Sequence, residues 1–175
     1  MNGIGSNCDE ELFDVVDAND NVMETMSRNE VHRQGLRHRA VHIFLFRSDG
    51  RMLIHLRTDT KEEFPSVWTS SASGHVSAGE DYETSAEREL FEELGVNASL
   101  IFEQKFNACP DTSNEFTKLF SATSDDEISI DPSEIADVAW LTIEDIEQRL
   151  KSQPRDFSPA FRLLFTAWSE GRRNS

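Results

Sequence analysis

The sequence predicts a mixed α+β (α/β) fold, in which strands and helices form a layered sandwich and not a doubly wound parallel sheet. Three observations predict it. Apolar runs of strand length recur along the chain, and most follow one another directly, with helical patterns between or after them. The length of 175 residues fits one compact domain. No internal repeat, low-complexity segment or linker divides the chain, so we expect a disordered segment over residues 1–10 and a single domain over residues 11–170, with its core at about 38–165.

A hairpin is predicted at the start of this domain. Residues 12–16 form a short apolar run, the turn-rich residues 17–21 follow, and residues 22–26 return as the second strand. Residues 27–39 are polar, and no regular element is predicted in them.

A second hairpin follows, because two apolar runs flank an Asp-Gly turn. The strand at 40–46 leads into the turn at 48–50, and residues 52–56 form the partner strand. A charged loop is expected over residues 57–66, and residues 67–73 are expected to be extended.

The rest of the chain alternates between loops, helices and strands. A glycine-containing loop at 74–81 precedes a helix at 83–94, which Gly95 ends in the left-handed conformation. Strands are predicted at 98–106, 115–122 and 135–141; Thr142 caps a helix over 143–151, and Ser158 with Pro159 begins a last helix that extends to about Trp168.

The composition restricts the partners of this protein. The formal net charge is −16, which disfavours a nucleic-acid polymer or an anionic membrane, since both bind clustered Lys and Arg. A small-molecule diphosphate remains compatible with such charge if divalent cations stand between carboxylate and phosphate. The sequence leaves a homodimer open.

The cysteines and the N-terminal residues predict a cytoplasmic protein. Cys8 and Cys109 form neither a CxxC pair nor a disulfide framework. The N-terminal sequence MNGIGSNCDEE has no apolar stretch of the kind that signal peptides contain.

Three carboxylates crowd together on the helix predicted at 83–94. With successive residues about 100° apart, Glu89, Glu92 and Glu93 share one arc beside an apolar stripe that can pack on a sheet. Like charges at this spacing repel by a few tenths of a kcal/mol per pair, roughly. A solvated acidic face is one interpretation; a divalent cation with oxygen ligands is the other.

The spacing around these carboxylates distinguishes the two interpretations. The specified positions of the stretch 74–96 are Gly74, Glu80, Arg88, Glu89, Leu90, Glu92, Glu93, Gly95 and Val96. This pattern resembles the Nudix box without a departure. The resemblance implies a loop–helix–loop on an α/β/α sandwich with a mixed sheet. It also implies hydrolysis of a diphosphate joined to another group, with Mg²⁺ or Mn²⁺ as cofactor.

The resemblance also implies roles for individual residues. It makes Glu89, Glu92 and Glu93 the metal ligands, with Glu80 as an accessory ligand, and assigns Gly74 to the same site. Arg88 is implied to orient the box carboxylates. Two residues remain open as the proton acceptor, namely Glu89 and, outside the box, Glu115.

The whole stretch from about 11 to 168 is similar to the isopentenyl-diphosphate isomerase branch, through the segments HRAVHIFLF, PSVWTSSASGH, SNEF, AWLTIEDI and DFSP. In that branch histidines and glutamates form a further metal site. The resemblance therefore implies a second metal site, short of one glutamate that Ser113 replaces; its members here are His32, His38, His75 and Glu115.

Two basic residues and one serine bear on the reaction. Arg57 and Lys61 match the residues that hold the diphosphate in the isomerase, which makes them substrate-binding candidates. Ser73 stands where the isomerase needs a catalytic cysteine, and a serine hydroxyl is a much weaker acid than a thiol.

These departures favour hydrolysis of a diphosphate bond in a small metabolite, such as a nucleoside diphosphate linked to another group. Isomerisation of a prenyl diphosphate, with Ser73 and Glu115 as the acid–base pair, is the second hypothesis. A sensor that binds a diphosphate without turnover is the third. The sequence does not identify the substrate, because loops outside the box select it.

Overall fold

The structure is a computed structural model that describes residues 10–174. The disordered segment expected over residues 1–10 therefore lies outside the described residues except for Glu10, and Cys8 lies outside them too.

The described residues form nine strands, four α-helices and two short 3-10 turns. The strands are β1 (Leu12–Val16), β2 (Val22–Ser27), β3 (His38–Phe46), β4 (Met52–Arg57), β5 (Trp68–Thr69), β6 (Ala72–His75), β7 (Ile101–Phe106), β8 (Glu115–Thr123) and β9 (Ile135–Leu141). The helices are α1 (Arg28–Gln34), α2 (Tyr82–Leu94), α3 (Ile143–Ser152) and α4 (Pro159–Arg173), and the 3-10 turns are Pro110–Thr112 and Pro154–Asp156.

Seven of these strands form one mixed sheet. Its main path is β5-β4-β3-β8-β7, with β6 also paired to β3 and β9 to β4. Strands β3 and β8 pair in parallel, and the other pairs are antiparallel. Strands β1 and β2 make a separate antiparallel hairpin, as predicted.

Helices cover both faces of the sheet, which confirms the predicted layered class. On one face α2 packs its buried residues Ala86, Leu90 and Leu94 against the odd-numbered side chains of β3. On the other face α4 packs Phe161 and Phe165 against a cluster that includes Phe44. Each such large apolar side chain stabilises the fold by about 1.5–3 kcal/mol when it leaves water.

The second predicted hairpin is only partly correct. Its turn forms, but β3 and β4 pair at Phe46 and Met52 alone, and β4 has β9 as its main partner. Ser71 explains the separation. Its hydroxyl accepts the N–H of Leu45 at 2.7 Å and donates to the carbonyl oxygen of Leu53 at 2.6 Å, so a side chain stands where the strand-to-strand bonds would continue.

Helix α1 lies in the polar stretch for which no element was predicted. The sequence carried a signal for it. Ser27 accepts the N–H of Glu30 at 3.4 Å as an N-cap, and Gly35 ends the helix in the left-handed conformation. With Val31 as its buried residue, the helix has too little apolar periodicity to show in the sequence.

The later elements follow the predictions, with shifts at their ends. Gly95 is left-handed, and Thr142 and Ser158 cap α3 and α4 as expected. Strand β7 begins at Ile101 and not at 98, and α4 continues past Trp168 to Arg173. Within residues 10–174, every helix is too short or too polar to cross a membrane.

Candidate active site

Helix α2 presents its three box carboxylates at different depths. Asp81 caps the helix by accepting the N–H of Thr84, and the apolar stripe fixes which side meets the sheet. As a result Glu93 is buried at 5% exposure, the Glu89 side chain is 12% exposed, and the Glu92 side chain is 56% exposed.

The two deeper carboxylates, Glu93 and Glu89, have raised pKa values because they are buried. Burial and, to a smaller extent, the nearby Glu89 raise the pKa of Glu93 to about 8, while the N–H of Ser73 donates to Glu93 Oε2 at 3.0 Å. Burial also raises the pKa of Glu89 to about 7. Buried oxygen ligands that resist ionisation without a counter-charge fit a hard divalent cation.

Gly74 allows the Glu89 carboxylate to reach this position. A β-carbon added at Gly74 would lie under 3.0 Å from all three carboxyl atoms of Glu89. The backbone of Gly74 does not have a positive φ, so the close approach, and not the conformation, requires glycine.

Arg88 holds the carboxylates of Glu80, Glu89 and Glu92 together. Its Nε and Nη2 donate to the two oxygens of Glu80 at 3.0 and 2.9 Å, and its Nη1 donates to Glu89 at 2.7 Å and to Glu92 at 3.3 Å. A further bond from Nη2 to the carbonyl oxygen of His75, at 3.2 Å, ties the guanidinium to β6. The hydrogen bond from Arg88 lowers the pKa of Glu80.

A cavity of about 310 Å³ opens beside the box carboxylates, and it brings them together with the two predicted basic residues. Arg57 donates to the backbone carbonyl oxygens of Glu63 and Phe64, at 2.8 and 3.0 Å, which fixes its orientation. Lys61 forms an ion pair with Glu134, which also lines the cavity. Burial lowers the pKa of both basic residues.

The three predicted histidines meet at one point next to this cavity. His32, His38 and His75 each offer a ring nitrogen within 4.8 Å of the others. His38 is 2% exposed, and its Nδ1–H donates to the carbonyl oxygen of Leu36 at 2.9 Å. Its Nε2 is buried without a hydrogen-bond partner among the described residues, and so is Nε2 of His32.

Glu115 supplies the carboxylate of this cluster. His75 Nε2 lies 3.0 Å from Glu115 Oε1, and His38 Nε2 lies 3.4 Å from the same atom, without hydrogen-bond geometry. Burial opposes ionisation of Glu115, but its contacts with His38 and His75 outweigh burial and hold its pKa below the usual range. The parallel pairing of β3 with β8 sets His38 directly opposite Glu115.

The donor set and the unpartnered nitrogens fit a divalent cation. Imidazole and carboxylate together suit Zn²⁺, Mn²⁺ and similar ions. Phe13 from β1 walls the cluster, with its ring centroid 4.6 Å from His75 and 5.5 Å from His38. An apolar wall restricts water around such a site.

Sequence reasoning missed three residues of the site region. Phe13 was predicted only as part of a strand, although it is fully buried against the histidines. Glu63 and Glu134 come from loops whose conformation has no sequence signature, and both line the cavity.

In the predicted isomerase pair, the carboxylate of Glu115 is engaged by the histidines, and the Ser73 N–H is engaged by Glu93.

A family model and known proteins match this chain. The model of the NUDIX domain matches residues 36–161. The chain is 33% identical over 157 residues to isopentenyl-diphosphate Delta-isomerase of Serratia proteamaculans, with 87% of this chain and 88% of that protein covered. It is 34% identical over 161 residues to a Nudix hydrolase of Yersinia pestis, with 91% and 88% covered.

The fold is also similar to solved structures. The crystal structure of DR0079 from Deinococcus radiodurans superposes with a TM-score of 0.80 and 28% identity, over 90% of this chain and 99% of that one. A MutT protein of Methanosarcina mazei superposes with a TM-score of 0.62 at 16% identity, over 77% and 94% of the two chains, and shows the fold alone.

Proposed function

The chain belongs to the Nudix family, and from this premise we propose that it is a metal-dependent pyrophosphohydrolase that cleaves a diphosphate bond in a small metabolite. A nucleoside diphosphate linked to another group is the substrate class that we favour. One observation carries the proposal: the carboxylates of Glu89, Glu92 and Glu93 line the same cavity as the cations of Arg57 and Lys61. This arrangement suits a substrate whose phosphates need both metal ions and basic side chains.

Each residue of the cavity has a role in this proposal. Glu89, Glu92 and Glu93 would hold Mg²⁺ or Mn²⁺, with Glu80 as accessory ligand and Gly74 giving the Glu89 carboxylate its space. The cation would neutralise phosphate oxygens and lower the pKa of the attacking water.

Arg57 and Lys61 would bind the phosphate groups and orient them. Arg57 is suited to this because two backbone carbonyls already hold its guanidinium, so little side-chain freedom is lost on binding. Arg88 would keep the carboxylates of Glu80 and Glu89 in place.

We favour Glu89 over Glu115 as the group that accepts the proton from water. Glu89 lies on the cavity wall beside Glu92 and Glu93. Glu115 has His75 and His38 against its carboxylate, so its oxygens are already engaged.

The histidine cluster supports a second candidate function. Relatives named isopentenyl-diphosphate Delta-isomerase cover most of this chain, and His32, His38, His75 and Glu115 meet as that resemblance implied. Isomerisation would need an acid at Ser73, whose hydroxyl has a much higher pKa than a thiol. Hydrolysis therefore remains our proposal, and the cluster is proposed as a second divalent-metal site beside the hydrolytic centre.

A magnesium-dependent phosphate-release assay tests the proposal. The panel contains nucleotides, dinucleotides, nucleotide sugars and prenyl diphosphates, and the test variant is Glu92→Gln/Glu93→Gln. We expect turnover of one substrate class and a loss of about a thousandfold in the variant. The matched control, Glu87→Gln, changes an exposed residue of the same helix and keeps activity.

Formation of an allylic product from isopentenyl diphosphate, without phosphate release, would establish the isomerase instead. Tight binding of a diphosphate with no turnover of any panel member would identify a sensor.

A further inference from the structure

Glu63 approaches the histidine cluster from a loop that sequence reasoning left as a charged connection. Its Oε1 lies 3.5 Å from Nδ1 of His32, on the side of the ring opposite the buried, unpartnered Nε2. A carboxylate oxygen accepts hydrogen bonds, so Glu63 is placed to take the Nδ1–H of His32.

Two contacts hold Glu63 in this place. The Ser113 hydroxyl donates to Glu63 Oε2 at 3.3 Å, and the guanidinium of Arg57 donates to the Glu63 carbonyl oxygen at 2.8 Å. Ser113 stands at the position where the resemblance implied a glutamate ligand. At this position the chain therefore has Ser113, which donates a hydrogen bond to the carboxylate of Glu63, instead of a glutamate.

The position of the proton on each imidazole follows from the group that lies beside its Nδ1. A neutral histidine carries one proton, and the nitrogen without it has the lone pair that binds a cation. The carbonyl oxygen of Leu36 keeps that proton on Nδ1 of His38. Glu63 stands in the corresponding place beside Nδ1 of His32, which leaves Nε2 of both rings with lone pairs.

We propose that Glu63 is a positioning residue of the histidine metal site. By accepting the Nδ1–H of His32, Glu63 directs the Nε2 lone pair of that ring towards a divalent cation, and the Ser113 hydroxyl holds the Glu63 carboxylate in place. The inference rests on the metal-binding role proposed above for the histidines, and it goes beyond the hydrolytic centre. Outer carboxylates of this kind fix ring orientation and raise ligand basicity, and their loss weakens metal binding by about 10- to 100-fold.

The position of Glu63 also connects the two sites. The same residue meets His32 through its side chain and Arg57 through its backbone. Glu63 therefore links the histidine cluster to Arg57 of the cavity.

The test uses the full chain with Glu92→Gln/Glu93→Gln as background, so that the box no longer competes for metal. Co²⁺ is titrated and followed by calorimetry and by its visible absorption. We expect Glu63→Ala to weaken Co²⁺ binding by about 10- to 100-fold, with Glu63→Gln intermediate because its amide oxygen still accepts a hydrogen bond. Glu62→Ala, an exposed neighbour in the same loop, is the matched control and keeps the affinity.

A readout without metal separates positioning from a merely structural role. Nitrogen-15 spectra of the imidazoles report which ring nitrogen carries the proton. In the metal-free background protein we expect the Nδ1–H form of His32, and in Glu63→Ala a mixture of the two forms, with His38 unchanged because the Leu36 carbonyl still holds its proton.

Equal Co²⁺ affinity and an unchanged His32 tautomer in Glu63→Ala would overturn the inference. Absence of Co²⁺ binding at the histidines of the background protein would overturn it too, together with the second metal site. Neither result bears on the proposed hydrolase activity, which is tested by phosphate release from the chain with an intact box.

Discussion

The carboxyl group of Glu89 occupies the space that a side chain on Gly74 would need. The first glycine of the box and the first of its three clustered carboxylates are therefore coupled by contact, across a strand and a helix. The spacing of the motif reflects this contact, because β6 must place a residue without a β-carbon against the turn of α2 that carries Glu89.

Gly74→Ala should remove most of the hydrolytic activity while the protein stays folded. The added methyl group forces the Glu89 carboxylate from its place, and overpacking of this kind costs about 1–3 kcal/mol of stability. Magnesium affinity and phosphate release measure the effect. Gly171→Ala is the control, since a β-carbon there would point into open space. Full activity in Gly74→Ala would show that Glu89 need not lie where the structure has it.

Arg88→Lys should lower kcat/KM by about 10- to 100-fold, because an ammonium cannot make the paired bonds that the guanidinium makes to Glu80 while it also reaches Glu89. Steady-state kinetics over a range of magnesium concentrations measure this loss. Arg149→Lys, on the exposed side of α3, should leave the kinetics unchanged. If excess magnesium restores the full rate, Arg88 acts on metal affinity alone.

Lys61→Met should raise KM by about tenfold or more with a smaller change in kcat. The substitution removes a half-buried cation from the cavity, and a hydrogen bond to a charged group contributes about 1.5–3 kcal/mol. Lys151→Met removes an exposed lysine of α3 and serves as control. An unchanged KM would mean that Lys61 remains paired with Glu134 when substrate is bound.

His55 should make the protein less stable below pH 6.5. Burial lowers its pKa from 6.5 to about 4, and its Nδ1–H donates to the carbonyl oxygen of Ser71 at 3.0 Å. Between these two pH values the unfolded chain binds a proton that the folded chain does not, so the free energy of unfolding falls as the pH falls, by up to about 3 kcal/mol. Urea unfolding at pH 7.5 and 5 should show a smaller difference in His55→Gln. An equal difference in both proteins would contradict the assignment.

Asp20→Asn should destabilise the fold by about 3 kcal/mol, because it removes a buried charge and leaves the partly buried guanidinium of Arg39 without its counter-charge. Asp20 is 9% exposed; it accepts from Arg39 Nε at 2.6 Å and from the Tyr82 hydroxyl at 2.8 Å, and it pairs with Lys105. Thermal unfolding measures the loss, and Asp59→Asn is the exposed control. A melting temperature equal to that of the unchanged protein would show that these contacts contribute no net stability.

The sequence predicted those parts of the fold that local chemistry determines. Capping residues such as Thr142 and Ser158 located α3 and α4, and the left-handed Gly95 ended α2. Strand pairing was harder to predict from the sequence, because it depends on residues that are distant in the chain. The hydroxyl of Ser71 bonds one backbone group of β3 and one of β4, where the two strands would otherwise bond each other. No local sequence pattern indicates that a serine side chain will do this.

The same distinction applies to the candidate site. Motif spacing singled out the box residues, since a helix of fixed geometry carries most of them. Glu63 escaped notice because its place depends on a loop that includes the positive φ of Phe64 and Ser66. Phe13 escaped notice because its role depends on how the first hairpin docks, with Asp14 accepting the N–H of Gly79 at 2.8 Å.

The parallel register between β3 and β8 has a consequence for the order of folding. All three histidines lie before residue 76 in the chain, yet their carboxylate is the first residue of β8, so a nascent chain has the imidazoles long before it has the acid. A slip of two residues would keep every side chain on its own face of the sheet, and the core would tolerate it better than a slip of one. It would nevertheless set Ser113 or Thr117 opposite His38 in place of Glu115. Metal binding at the histidines, as proposed above, would thus distinguish the correctly registered sheet from a near-native misfold that circular dichroism would not detect.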